Sequence, residues 1–405
     1  MRCIIQPPMD ELVRFLTETL PPGWADAAEA GDEAALRSLR RGLDARAFIA
    51  RLGAEGWVAP HWPAEHGGRG LGEAEARAVY ELLDHWNVPR IPRGSGFVLA
   101  APAIRAFAEE PTKRRFLPRI VTGEEQWAQL FSEPGAGSDL ASLATRAVRD
   151  GDEWVVNGQK VWTTLAHESQ FAMLLARTDP DVPKHDGITY FGVDLRAPGV
   201  DVRPLRQITG ETEFNEVFLT DVRIPDLHRI SPVGQGWAAS HATLSAERLT
   251  LSGMSARQRQ SRGILGGKTI DEVIELARSS TLARSTRDRV AQAYIESKVL
   301  ALTVERSAAA GSSGPPGAVT KVGKATVNKD LQVLAVHLLG ARATAWPADD
   351  TEIAGYNREF LRTRANSIEG GTSEIQRNVI GERVLGLPRE PDAYKGKAWS
   401  EVPRS

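Results

Sequence analysis

Apolar residues recur three and four positions apart over Ala45 to Glu55, Glu73 to Trp86 and Leu99 to Glu110, the spacing that lays one apolar stripe along a helix. Between the first two, Trp57 to Gly72 (WVAPHWPAEHGGRGLG) carries too much Gly and Pro for regular structure. From Trp127 to about Asp226 the pattern turns to strands. Glu153 to Val156 and Lys160 to Thr163 flank Asn157-Gly158, which predicts a hairpin turn because both residues tolerate positive φ. Phe171 to Ala176, Ile188 to Val193 and Val217 to Leu219, each bounded by Asp, Gly or Pro, extend this into a compact β domain. After Gly234 the helical period returns in long segments: Trp237 to Gln260, Asp288 to Ala310, Thr320 to Leu339 and Ser373 to Leu385. Their lengths and short connections predict a helical bundle. Helices, then a β domain, then helices is an uncommon order.

A chain of 405 residues is long enough for two or three domains. A formal charge of -2 and an apolar fraction of 41% imply no strongly basic face, so nucleic acid is excluded as a partner. The lone Cys3 leaves no disulfide framework and no paired-cysteine metal site, and no metal is expected. Met1 to Asp10 lacks the apolar core of a signal peptide and no run is long enough to cross a bilayer; no membrane association and a cytoplasmic location are expected. There is no internal repeat, and only Ala308 to Gly317 is of low complexity. Three motifs fail on spacing. The first glycine of a phosphate loop ending at Gly267-Lys268-Thr269 would fall on Arg262. Gly135-Ala-Gly137 has Leu140 where a dinucleotide fingerprint needs its third glycine, and no histidine pair has HExxH spacing. Nucleotide-triphosphatase, dinucleotide-fold and zinc-hydrolase readings fall with them.

Phe131-Ser-Glu-Pro-Gly-Ala-Gly-Ser-Asp139 concentrates small residues, so its backbone can approach a ligand closely while Ser132 and Ser138 offer hydroxyls. A plain surface turn would read the same way. This segment resembles the flavin-binding loop of the acyl-CoA dehydrogenases. Val156 to Thr164 (VNGQKVWTT), Thr220 to Pro225 (TDVRIP) and Glu369 to Ile380 (EGGTSEIQRNVI) resemble that family's further signatures, in order and at the right spacing from about Gly56 to Pro388. The resemblance implies an α+β multidomain fold: a helical domain over 1–125, a middle β-barrel over 126–231, a four-helix bundle over 232–390 and a tail over 391–405. It also implies FAD, held between barrel and bundle and touched by a second chain. Ser132 and Ser138 would meet the flavin ring and its phosphates, Trp162 would pack beside the ring and Thr164 would contact its polar edge. Trp162 reads equally as a core tryptophan. Thr372 and Glu374 match FAD-contacting positions, and also what any helix start wants. Ser138 and Arg248 are the implied substrate contacts.

The implied chemistry needs one desolvated carboxylate to take a proton from the acyl α carbon, and hydrogen-bond donors for the thioester oxygen. Medium- and short-chain members carry the carboxylate just before Gly-Thr-Ser, where this chain has Gly370 beside Glu369. Isovaleryl- and long-chain-type members use a Glu-Arg-Leu glutamate, matched here by Glu247-Arg248-Leu249. The resemblance therefore implies Glu247 as base, with Gly370 contributing its backbone N–H, although Glu247-Arg248 alone would read as a solvated charged pair. Two features depart from the family. Arg284 lies in a stretch without the usual Phe-Gly, and His337 with Gly340-Ala341 replaces Gln and a glycine pair. These positions imply altered FAD contacts across a homo- or hetero-oligomer, a dimer or tetramer. The implied partners are an acyl-CoA or carrier-protein thioester and an electron-transfer flavoprotein. A flavin monooxygenase on the same fold and a non-catalytic subunit of a heteromeric dehydrogenase are the alternatives.

Overall fold

The computed structural model describes residues 7–252, 266–279, 281–309, 316–344 and 351–403, with 7, 245–252, 308, 316 and 351–353 described by backbone alone. The chain divides into two compact units: Met1–Pro204 with Phe214–Ala242 and Lys397–Ser405, and Leu205–Glu213 with Thr243–Gly396.

The first unit begins with seven helices: α1 (Pro7–Thr19), α2 (Trp24–Glu29), α3 (Glu33–Arg41), α4 (Ala45–Ala54), α5 (Glu73–His85), α6 (Ala101–Phe107) and α7 (Glu110–Thr122). Asp32 and Asp44 cap α3 and α4 by accepting backbone N–H bonds of the first turn. The helix expected over Leu99 to Glu110 is broken. A π turn at Gly96–Ala100 leads into α6, and an extended Ala108 and Glu109 precede the proline that opens α7. The irregular Trp57 to Gly72 loop is nonetheless anchored, with Trp57, Val58, Ala59 and Trp62 buried. A Cβ on Gly53 would lie 2.3 Å from the Val121 carbonyl oxygen, so α4 and α7 meet backbone to backbone. Phe116 of α7 packs edge-on to Trp127 at 4.9 Å and Phe171 at 5.4 Å, joining the helices to the β region in one core.

Seven strands follow: β1 (Trp127–Leu130), β2 (Arg146–Asp150), β3 (Glu153–Thr164), β4 (Phe171–Arg177), β5 (Ile188–Asp194), β6 (Val200–Leu205) and β7 (Phe214–Pro225). They form one curled sheet in the order β1-β4-β2-β3-β7-β6, with β5 also on β4. The β1–β4 pairing is parallel, and β2 touches β4 only at Arg146–Arg177. The hairpin expected at Asn157-Gly158 does not form: β3 runs straight through it. Asn157 is instead tied to Asp221 of β7 by two hydrogen bonds of 2.9 Å, and a Cβ on Gly158 would meet Thr145 Oγ1 at 2.4 Å. The close approach uses the glycine, with a register shift in the ladder where a turn was expected. The actual turn lies upstream at Gly151 (φ +63), between β2 and β3.

The second unit holds α9 (Ile270–Arg278), α10 (Arg284–Ala309), α11 (Pro316–Leu339), α12 (Thr351–Arg362) and α13 (Ser373–Val379); α8 (Gly236–Ser252) belongs to it from Thr243 onward. Positions 253–260 of the expected Trp237 to Gln260 helix lie outside the described residues. α11 is the central element, packed by α9, α10, α12 and α13, with Val273, Leu331, Leu334, Ala335 and Tyr356 as core. α9 and α12 were not foreseen in the sequence. α10 leaves Ile295, Val299 and Leu302 exposed at helical spacing on one face. No helix among the described residues is long and apolar enough to cross a membrane.

Gly53→Ala forces backbone against backbone and should destabilise the first unit by about 2 kcal/mol or more. Gly42→Ala, whose Cβ would meet nothing nearer than 3.6 Å, should change little. Chemical denaturation of the two variants checks the contrast.

Candidate active site

The Ser132–Asp139 loop is pinned from beneath by a buried ion pair. Lys160 of β3, with no exposed surface, donates to Glu133 Oε1 at 2.8 Å and to the Phe131 carbonyl at 3.0 Å. Glu133 also accepts from the Ala144 and Thr145 amides at 2.7 and 2.9 Å. Burial works against its charge, but Lys160 and the two amides more than offset that and hold the Glu133 pKa below the ordinary carboxylate value. The Glu133 and Ala136 backbones exchange two hydrogen bonds and Val161 N–H donates to the Ser132 carbonyl at 3.0 Å, which ties the loop to β3. Ser132 is half-buried, whereas Gly135, Gly137 and Ser138 are exposed, with open space where either glycine would carry a Cβ.

Strand alternation explains Trp162. Trp154, Val156 and Lys160 share the buried face of β3, and the same parity would bury Trp162. The β3–β7 register slips between Lys160 and Thr163, so Thr163 takes the buried place and Trp162 turns out, 61% exposed. Trp162 has φ +62, a left-handed conformation costing an aromatic residue roughly 1–2 kcal/mol. Buried Asn215 of β7 supports the bulge, donating to the Thr163 carbonyl at 2.9 Å while its Oδ1 lies 3.0 Å from His167 Nδ1. Phe214 meets the Trp162 ring edge to face at 6.0 Å, and Thr164 is exposed beside it. Trp162 is therefore no core tryptophan. Strain of this kind, stabilised by its surroundings, is what a ligand-facing position carries.

The far end of the loop is held from two sides. Asp139 is paired with Lys184 at 2.8 and 2.9 Å and accepts from Ser142 Oγ at 2.5 Å. Buried Arg177, at the end of β4, donates to the Ala141, Leu143 and Lys184 carbonyls at 2.6, 3.1 and 3.1 Å.

In the second unit, Glu369 is fully engaged: Arg362 grips both its oxygens at 3.0 Å, and Asn366 donates to one at 2.9 Å. Gly370 and Gly371 follow at φ +64 and +89, a path open to glycine. Thr372 caps α13 by accepting from Ile375 N–H at 3.2 Å, and exposed Glu374 pairs with Arg377 at 3.4 Å. Gly370, Thr372 and Glu374 thus share one turn. Arg284 begins α10, whereas His337 lies in the last turn of α11, three residues before Gly340 (φ +58); all three are exposed. Glu247 and Arg248 fall on the helical backbone of α8, and their side chains lie outside the described residues. The sequence reading passed over Glu133, Lys160 and Arg177. The available signal was a lysine at a buried parity of an otherwise apolar strand face.

Family models match three consecutive stretches: the acyl-CoA dehydrogenase N-terminal domain over residues 9–124, the middle domain over 128–222 and the C-terminal domain over 234–385. The chain is 41% identical over 380 residues to acyl-CoA dehydrogenase IpdE1 of Mycobacterium tuberculosis, covering 91% of this chain and 96% of that protein. It is 40% identical over 335 residues to acyl-CoA dehydrogenase FadE34 of the same species, covering 82% of this chain and 45% of that one. Among solved structures, the ChsE4-ChsE5 complex from Mycobacterium tuberculosis superposes with a TM-score of 0.67 at 30% identity, covering 96% of this chain and 100% of that one. The Tcur3481-Tcur3483 steroid ACAD gives 0.70 at 26% identity, covering 91% and 99%.

Lys160→Met leaves Glu133 buried without its counter-charge and should destabilise the first unit by about 3–5 kcal/mol. Adding Glu133→Gln should restore most of the loss. A carboxylate with a lowered folded pKa contributes stability that is complete above its unfolded value and lost as pH falls through the folded one. Acid denaturation should accordingly show a Glu133-dependent loss below about pH 4 that the double variant lacks. An additive double variant would sink this account of the pair.

Proposed function

This chain belongs to the acyl-CoA dehydrogenase family, and on that premise we propose that it oxidises an acyl thioester between its α and β carbons, with FAD as cofactor and Glu247 as acceptor of the α proton. When bound, FAD supplies the two-electron acceptor for the β hydride. The observation that carries the reading is Trp162, turned outward by a strained bulge next to the pinned Ser132–Asp139 loop. An exposed indole face, the hydroxyls of Ser132, Ser138 and Thr164, and a glycine-lined backbone with open space suit a flat ring with a polar edge and a phosphate chain. Thr372, Glu374, Arg284, His337 and Gly340 are the bundle residues assigned to the rest of the cofactor.

The choice of base follows from what is already committed. Gly370 has no side chain, and the neighbouring Glu369 is held by Arg362 and Asn366. The Glu-Arg-Leu likeness then points to Glu247 to take the proton, while the Gly370 N–H serves as a donor to the thioester oxygen and Ser138 and Arg248 contact substrate. A bulky acyl group is the substrate class to test first, since one similar structure is named a steroid ACAD. An electron-transfer flavoprotein is the proposed acceptor of the electrons. The exposed Ile295, Val299 and Leu302 face of α10 supports assembly with another subunit.

Glu247→Gln should keep FAD and substrate binding yet slow anaerobic flavin reduction by at least ~100-fold, the lower end of a positioned base's contribution. Glu369→Gln should lower stability through Arg362 with a far smaller effect on that rate. The reverse result would move the base to Glu369, and indifference to both would remove α-proton abstraction from the mechanism.

Leu302→Glu combined with Val299→Glu should convert the assembly to monomers in light scattering. If the double variant remains assembled, the α10 face is not the subunit contact.

A further inference from the structure

Residues Lys397 to Pro403 were expected as tail, yet they pack within the first unit, on the turn joining β4 to β5. The Trp399 and Ser400 amides donate to the Val182 and Pro180 carbonyls at 2.8 and 2.9 Å, and Ala398 bridges Pro183. Ser400 Oγ donates to Asp181 at 3.1 Å. Trp399, 8% exposed, lies with its ring 4.3 Å from the Arg177 guanidinium carbon, and its Nε1 donates to the Ser142 carbonyl at 3.4 Å.

Arg177 donates through three nitrogens to carbonyls of Ala141, Leu143 and Lys184. A guanidinium bonded along its edges has only its flat faces left for packing, and one face meets the Trp399 ring. Arg177 therefore holds the run directly after Ser138, together with the turn bearing Lys184, which in turn grips Asp139. Trp399 covers Arg177 and also bonds the held run itself.

We infer that Trp399 is a positioning residue for the cofactor loop: through Arg177 and Ser142 it keeps Ser138 and Asp139 in place and slows the loss of bound FAD. The inference rests on the FAD reading above. Release of FAD from the holoenzyme is followed by the rise in flavin fluorescence on dilution, with hydrogen exchange at Leu140 to Leu143 as a second readout. Trp399→Leu keeps apolar volume but removes the ring and its N–H, and should speed release about tenfold, between the values for an exposed and a fully desolvated cation–π contact. Trp399→Phe, which restores a ring over Arg177, should recover most of that, whereas Ser400→Ala should stay within about twofold of the parent. A merely structural segment would lower the melting temperature in all three variants without this ranking of release rates. Ser138→Ala separates the two ideas. If it speeds release while Trp399→Leu does not, the Trp399 inference is overturned and the site stands. If the protein holds no flavin, the site reading falls, and unchanged exchange at Leu140 to Leu143 in Trp399→Leu overturns the inference independently.

Discussion

The ion pair between Lys160 and Glu133 is the constraint on which the candidate site depends. A lysine and a glutamate removed from water are costly unless each finds its charge and its hydrogen bonds, and here both do. The geometry that satisfies them also determines the loop. Glu133 must reach the amides of Ala144 and Thr145 on one side and Lys160 on the other, so Ser132 and Ala136 have little freedom. Lys160, facing inward, sets the parity of β3 up to the residue before the bulge. The outward Trp162 is then the next consequence: with the inward place given to Thr163, the indole has nowhere to go but the surface.

Much of the fold was legible because its signals are local. Period and punctuation located α4, α5, α10 and α11 to within a few residues, and the apolar runs of β4 and β5 stood out because both strands are buried along almost their whole length. The misreadings share a cause, tertiary contact overriding local preference. Asn157-Gly158 has strong turn chemistry, but Thr145 needs a residue without a side chain opposite it, and Asp221 supplies both hydrogen bonds that Asn157 wants. Asp150-Gly151 carried the same chemistry and made the turn. α9 and α12 are omissions of another kind, since their signals are local: Thr269 and Glu272 form a capping box at the start of α9, and Val273 and Tyr356 lie on apolar sides that pack on α11.

At the site, residue types were legible and their supports were not. The loop, Trp162 and Thr164 came from motif likeness, but the bulge that aims Trp162 depends on a two-strand register no single segment encodes. Arg177 and Trp399 are 222 positions apart in the chain, and nothing in either neighbourhood announces the other. In the sequence Arg177 is one more charged residue at the end of a strand; in the structure it is a clamp on the Ala141, Leu143 and Lys184 carbonyls with an indole on its face.

The placement of the base can be argued from cost. Arg362 is largely buried, and burial opposes its charge. The Glu369 carboxylate more than offsets this, with Glu213 and Glu211 adding to the effect, so the Arg362 pKa lies above its ordinary value. For Glu369 to act as proton acceptor it would have to leave that bidentate grip, giving up two charge-assisted hydrogen bonds to Arg362 and one from Asn366. Glu369 instead braces the turn: the ion pair fixes the chain just before Gly370 and Gly371, whose positive φ values carry it into the Thr372 cap. A carboxylate committed to bracing this turn supports the proposal that the base is a different residue.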